Sequence, residues 1–122
     1  MESESQQSIL VVDDEEVIRD FLSEVLEGYD ITLACDGDEA IDKLKQRRFD
    51  LVITDLRMER VPGDEVVKAA HELNPCTKVI VISGYSSLYT ASRSASSGAC
   101  AFLSKPFSIT ELMQAVTSAL GG

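Results

Sequence analysis

Five polar residues of this 122-residue chain stand where short apolar runs stop. Asp13 and Asp14 follow Ile9-Leu10-Val11-Val12, Asp55 follows Asp50-Leu51-Val52-Ile53-Thr54, Ser83 follows Val79-Ile80-Val81-Ile82, and Lys105 comes just after Cys100-Ala101-Phe102-Leu103. Three carboxylates packed together raise one another's pKa and destabilise the chain, so they need a cation. A small set of oxygen ligands with room for water suits Mg²⁺ better than Zn²⁺, because the hard ion prefers oxygen and keeps several waters. Such an ion draws a phosphoryl group onto the site and screens its charge from the carboxylates. Asp55, alone at the end of its strand, is then the nucleophile, since a carboxylate attacks phosphorus to give an acyl phosphate without a separate base. Lys105 meets a phosphoryl oxygen as a point charge, and the Ser83 hydroxyl donates a hydrogen bond to it. Taken singly, an Asp after a strand reads equally well as a helix or turn cap. The joint occurrence does not.

These residues converge only if the strands run parallel. Val17, Ile18, Phe21, Leu22, Val25 and Leu26 recur with helical spacing after the first strand, and Gly28 ends that helix. Ile31-Thr32-Leu33-Ala34 reads as a second strand, and Ala40, Ile41 and Leu44 sketch a second helix that stops near Arg48. A Gly/Pro-containing loop after Asp55 leads to a helix around Asp64 to Leu73, and Lys78 to Ile82 makes the fourth strand. A fourth helix is expected over Ser86 to Ser97, where Leu88, Ala91 and Ala95 give only a thin apolar stripe; weak burial there predicts a mobile element. The fifth strand precedes a final helix defined by Ile109, Leu112, Met113, Val116 and Leu120. Strands alternating with helices indicate a parallel sheet with helices on both faces, whose strand C-termini share one rim. Ligands bind outside that rim.

Composition narrows the function. The formal charge of −10 repels phosphate backbones and anionic lipid, which disfavours nucleic-acid binding. No apolar run approaches the length of a membrane span and the N-terminus lacks a signal-peptide pattern, so a cytoplasmic domain is expected. Cys35, Cys76 and Cys100 are odd in number and lack CxxC spacing, suggesting neither a disulfide framework nor a zinc site; they are expected to pack as small apolar groups, Cys100 most deeply. His71, the one histidine, has no neighbouring ligand partner and reads as helix surface, and Arg47-Arg48 as the solvated end of a helix.

Asp13-Asp14, the stretch LVITDLRM from Leu51 to Met58, Ser83-Gly84 and Lys105-Pro106, in that order and at those gaps, resemble the receiver domain of bacterial two-component response regulators over essentially the whole chain. The resemblance implies an α/β, flavodoxin-like (βα)5 three-layer sandwich with strand order 2-1-3-4-5. It implies one domain over 1–122, with 1–7 a flexible N-terminal segment. It implies Mg²⁺ and a phosphoryl group received on Asp55 from a sensor histidine kinase or histidine phosphotransfer protein. By position, Asp14 is a direct metal ligand, Asp13 acts through water, and Asp55 and the backbone carbonyl of Arg57 complete the metal set. Ser83 and Lys105 read the phosphoryl group, Ser83 and Phe102 form the switch, Arg57 and Tyr85 tune phosphate lifetime, and Lys105-Pro106 matches the family's cis peptide bond. Such a domain is a phosphoacceptor that assists its own phosphorylation and dephosphorylation rather than an enzyme with turnover. Phosphorylation reshapes the surface of the fourth helix, fifth strand and fifth helix, where an output domain, a downstream protein or a second copy docks.

The chain departs from the family pattern at Glu59 and Asp64, and Pro62 immediately precedes Gly63, so the loop after Asp55 is expected to bend differently. Neither Arg57 nor Tyr85 is suited to orient attacking water, so slow self-hydrolysis is expected. Phe102 also reads as an ordinary core phenylalanine. The rival functions are a phosphorylation-independent interaction module and, less favoured, an aspartyl phosphatase, which needs an aspartate where Arg57 stands. No GxxxxGK or GxGxxG element supports nucleotide binding.

Overall fold

Every residue of Ser8-Ile9-Leu10-Val11-Val12 is buried, as expected of an apolar run covered on both sides. A computed structural model of the chain describes residues 7–55, 63–83 and 101–121, with the backbone alone at 63 and 64. The described elements are β1 (Ser8–Val12), α1 (Glu16–Val25), β2 (Asp30–Ala34), α2 (Gly37–Gln46), β3 (Leu51–Asp55), α3 (Gly63–Leu73), β4 (Lys78–Ser83), β5 (Ala101–Ser104) and α4 (Ile109–Gly121). The helix expected over 86–97 lies outside the described residues, so α4 is the helix expected last. Five parallel strands form one sheet in the order β2-β1-β3-β4-β5, an α/β fold of the flavodoxin-like kind.

Strand alternation divides the core in two. Leu10, Val12, Val52, Val79 and Val81 face Ala40 and Leu44 of α2 and Val66, Val67 and Ala70 of α3. Ile9, Val11, Leu51, Ile53, Ile80 and Ile82 face Leu22 of α1 and Leu112 and Val116 of α4. Each such fully buried aliphatic side chain contributes about 1.5–3 kcal/mol. Both layers therefore press on the same central strands, and the site residues at their ends inherit a rigid base.

The element limits fall close to those read from periodicity. Asp55 and Ser83 close β3 and β4 from within, because the parallel ladder carries one residue further, pairing Asp55 with Ile82 and Ser83 with Ser104. Gly28 follows α1 at φ +105°, a conformation that strains residues with a Cβ. Cys35 and Cys76 correct an expectation. Both are exposed, because Cys35 directly follows the edge strand β2 and Cys76 sits in the turn before β4. Cys100 lies outside the described residues.

Side-chain caps start α2 and α4. Asp36 accepts from the Glu39 N–H at 2.8 Å, and Glu39 accepts from the Cys35 N–H at 2.8 Å. The hydrogen bonds from Cys35 hold the Glu39 carboxyl below its usual range. At α4, Ser108 Oγ accepts from the Glu111 N–H at 3.0 Å while Glu111 Oε1 accepts from the Ser108 N–H at 2.9 Å, a reciprocal capping box.

Candidate functional site

The central strands β1 and β3 lie side by side and end together, which sets Asp13 and Asp55 on one rim. Ser83, fully buried, closes the neighbouring β4. Past β5, the Lys105 N–H donates to the Ser83 carbonyl at 2.7 Å, and the Lys105–Pro106 bond is cis, as the family resemblance implied. From there the Lys105 side chain reaches back over the strand ends. Its Nζ lies 3.0 Å from Asp55 Oδ2, 3.3 Å from Glu15 Oε1 and 3.4 Å from Asp13 Oδ2.

Asp13 is 1% exposed and Asp55 6%. Burial pushes the Asp13 carboxyl up from 3.8 to about 6; the Glu15 N–H, donating at 2.9 Å, pulls it down, and the charge of Asp55 adds to the rise. Burial also acts against the Lys105 ammonium. The hydrogen bond to Asp55 and the charges of Asp13 and Asp55 outweigh that and raise its pKa.

One oxygen each from Asp13, Glu15 and Asp55 lie within 4.8 Å of one another, the one such group among the described residues. The donor set fits a hard divalent ion, because all three groups offer carboxylate oxygens. Asp14 is exposed beside Asp13 and does not join this group. Arg57 and Tyr85 lie outside the described residues. Phe102 is half-buried against the core layer of α2 and α3, its backbone paired with Val81.

Glu15 was not singled out from sequence. The available signal was the acidic run Asp13-Asp14-Glu15-Glu16, which continues past the two residues read as ligands. Arg19 is a second addition: its guanidinium donates to the Asp13 carbonyl at 2.7 Å and ties α1 to the end of β1. His71 is exposed on α3. Arg47 stacks over the Phe49 ring at 4.8 Å and pairs at 3.2 Å with Asp30, which starts β2 at the other end of the sheet from these strand ends.

The family model of the response regulator receiver domain matches residues 9–117. The chain belongs to this family. Among its relatives is the transcriptional regulatory protein ZraR of Klebsiella oxytoca, 37% identical over 120 residues that cover 97% of this chain and 27% of ZraR. The chain thus spans about a quarter of the length of that regulator. Sporulation initiation phosphotransferase F of Bacillus subtilis is 35% identical over 112 residues, 90% of each chain. Among solved structures, a CheY-like response regulator receiver domain protein from Methanospirillum hungatei JF-1 superimposes with a TM-score of 0.91 at 32% identity, covering 96% of this chain and 95% of that one. The receiver domain is thus a regulatory module of two-component signalling. No described helix is long and apolar enough to cross a membrane.

Proposed function

We propose that this receiver domain accepts a phosphoryl group on Asp55 from the phosphohistidine of a sensor kinase or histidine phosphotransfer protein, with Mg²⁺ in the acidic pocket. The observation that carries the reading is the Lys105 ammonium 3.0 Å from the carboxylate of Asp55 at the shared rim of β1 and β3. An oxygen of Asp55 attacks phosphorus, the P–N bond breaks, and its electron pair returns to the imidazole. Lys105 balances charge on the phosphoryl oxygens, and the Ser83 hydroxyl donates to one of them. Asp13, Asp14, Asp55 and the carbonyl of Arg57 would hold the ion, Asp13 through water. Bound Mg²⁺ supplies Lewis-acid charge to the transferring oxygens.

Reversal is hydrolytic: water attacks phosphorus, the bond to Asp55 breaks, and inorganic phosphate leaves. Arg57 and Tyr85, two positions beyond Asp55 and Ser83 in sequence, carry no carboxylate or amide suited to orient that water, so the step is slow. The switch runs through Ser83 and Phe102 to β5 and α4. An output domain, a downstream protein or a second copy would dock on the surface of the helix expected over 86–97, β5 and α4; a groove of about 660 Å³ lined by Ala101, Leu103, Gln114, Ala115 and Ala119 runs along β5 and α4. We read the setting as cytoplasmic.

The test is intact-mass analysis after incubation with a small phosphodonor and Mg²⁺. Wild type gains one phosphoryl mass and Asp55→Asn gains none. A gain that survives in Asp55→Asn removes Asp55 from its role. A wild type that gains nothing yet binds its partner is the phosphorylation-independent module instead.

A further inference from the structure

Lys105 holds Asp13 and Asp55 through one oxygen of each, and the group that could hold a divalent ion contains those same two carboxylates together with Glu15. The third contact, Glu15, differs from both. Its side chain is 63% exposed, against 1% for Asp13 and 8% for Asp55. It occupies the position before α1 from which a side chain ordinarily caps the helix, yet it makes no cap bond. Its carboxylate turns to Lys105 instead, at 3.3 Å. When the inner carboxylates are taken, an ammonium on a flexible four-carbon stem must either lose its partners or keep one. Glu15 is the partner placed to remain.

We propose that Glu15 is a positioning residue for Lys105: it retains the ammonium at the pocket rim when a divalent ion occupies Asp13 and Asp55. The inference rests on the Mg²⁺ reading given above. Two effects follow. Metal entry is easier than if Lys105 were displaced into water unpaired, and Lys105 stays within reach of a phosphoryl group on Asp55.

The experiment is a double-mutant cycle read by calorimetric titration of Mg²⁺ alone into the full chain: wild type, Glu15→Gln, Lys105→Gln and the double variant, with Asp55→Asn alongside. Glu15→Gln weakens Mg²⁺ binding about two- to fivefold, the range of a partly exposed ion pair. Lys105→Gln tightens it. In the Lys105→Gln background the Glu15→Gln effect disappears. An equal loss in both backgrounds overturns the proposal, since Glu15 then acts on the metal or by charge alone, and so does a Glu15→Gln protein that binds as wild type does. The Lys105 Cε–Hε NMR signal gives a second readout: in the Mg²⁺-loaded protein it moves to the position of an exposed lysine only when Glu15 is replaced. A signal unmoved by Glu15→Gln overturns the proposal as well. If wild type binds no Mg²⁺, or binds it as well as Asp55→Asn does, the metal reading falls and this inference falls with it. Binding that needs Asp55 with a flat cycle defeats the Glu15 role alone.

Discussion

Replacing Asp13 by asparagine in the metal-free protein should stabilise the fold at neutral pH. Asp13 is buried beside Asp55, and its carboxyl rises from 3.8 to about 6. Between those values the folded chain binds a proton that the unfolded chain has released, so stability falls as pH rises through the window. The full rise corresponds to about 3 kcal/mol at pH 7. Asparagine keeps an acceptor for the Glu15 N–H, and the pairing with Lys105 at 3.4 Å is already counted in that net rise, so the gain reaches about 3 kcal/mol at most. Against the 5–15 kcal/mol typical of whole domains, that is readily measured.

The assay is urea unfolding in EDTA at a series of pH values from 4 upward, as is usual for a two-state domain of this size. Wild type loses stability relative to Asp13→Asn between about pH 4 and 6, and the difference then stays flat. Glu39, held below its usual range by its bonds to Cys35, gives a slope of opposite sign, but it is common to both proteins and cancels in the difference. Saturating Mg²⁺ should restore wild type and do far less for the variant. A difference that stays flat from pH 4 to 7, or an Asp13→Asn protein less stable than wild type at pH 7, refutes the claim that burial beside Asp55 makes this carboxylate costly.

Three further outcomes are expected. Ser108→Ala removes the oxygen that accepts from Glu111 at the start of α4 and should cost about 1 kcal/mol, seen as a lower urea midpoint at unchanged slope; an unshifted midpoint would mean that the capping box contributes nothing. Arg57→Asn, which places a water-orienting amide two residues beyond the acceptor, should shorten the lifetime of phosphorylated Asp55 in a phosphate-release assay, and a decay no faster than wild type counts against the tuning role. A saturating acyl-phosphate mimic with Mg²⁺ should move the backbone chemical shifts of Phe102 and Met113, while unchanged shifts along β5 and α4 defeat the switch.

Much of the fold was legible because its signals are local and mutually consistent. Apolar runs that stop at Asp13, Asp55 and Ser83 mark strands, and parallel connection then forces their ends onto one rim. What stayed hidden depends on distance across the fold. Ile31-Thr32-Leu33 looks like a core strand in sequence but is only half-buried, because β2 lies at the sheet edge, and the same edge leaves Cys35 in water. Glu15 looks like one more acid at a helix start. Its partner is 90 residues away, so nothing in the local sequence shows where its carboxylate turns. The Ser108 to Glu111 box was legible by spacing, yet apolar periodicity alone places α4 without it.

The electrostatics of the pocket also explain why such an arrangement suits a signalling module better than a structural one. Among the described contacts Lys105 brings one positive charge to the three carboxylates of Asp13, Glu15 and Asp55, and the charge of Asp55 adds to the rise that burial gives the Asp13 carboxyl. A structural salt-bridge network would be selected to remove that repulsion. Here the repulsion sits at the ends of β1 and β3, whose buried side chains pack into both core layers. Those layers keep the carboxylates from moving apart to relax it. A cation or a phosphoryl group arriving at the rim must then be answered by the parts that can still move, chiefly the Lys105 stem and the Glu15 side chain. Lys105 is anchored to the Ser83 carbonyl through its own N–H, beside the pairing of Ser83 with Ser104, so the base of that movable stem is fixed to the ends of β4 and β5.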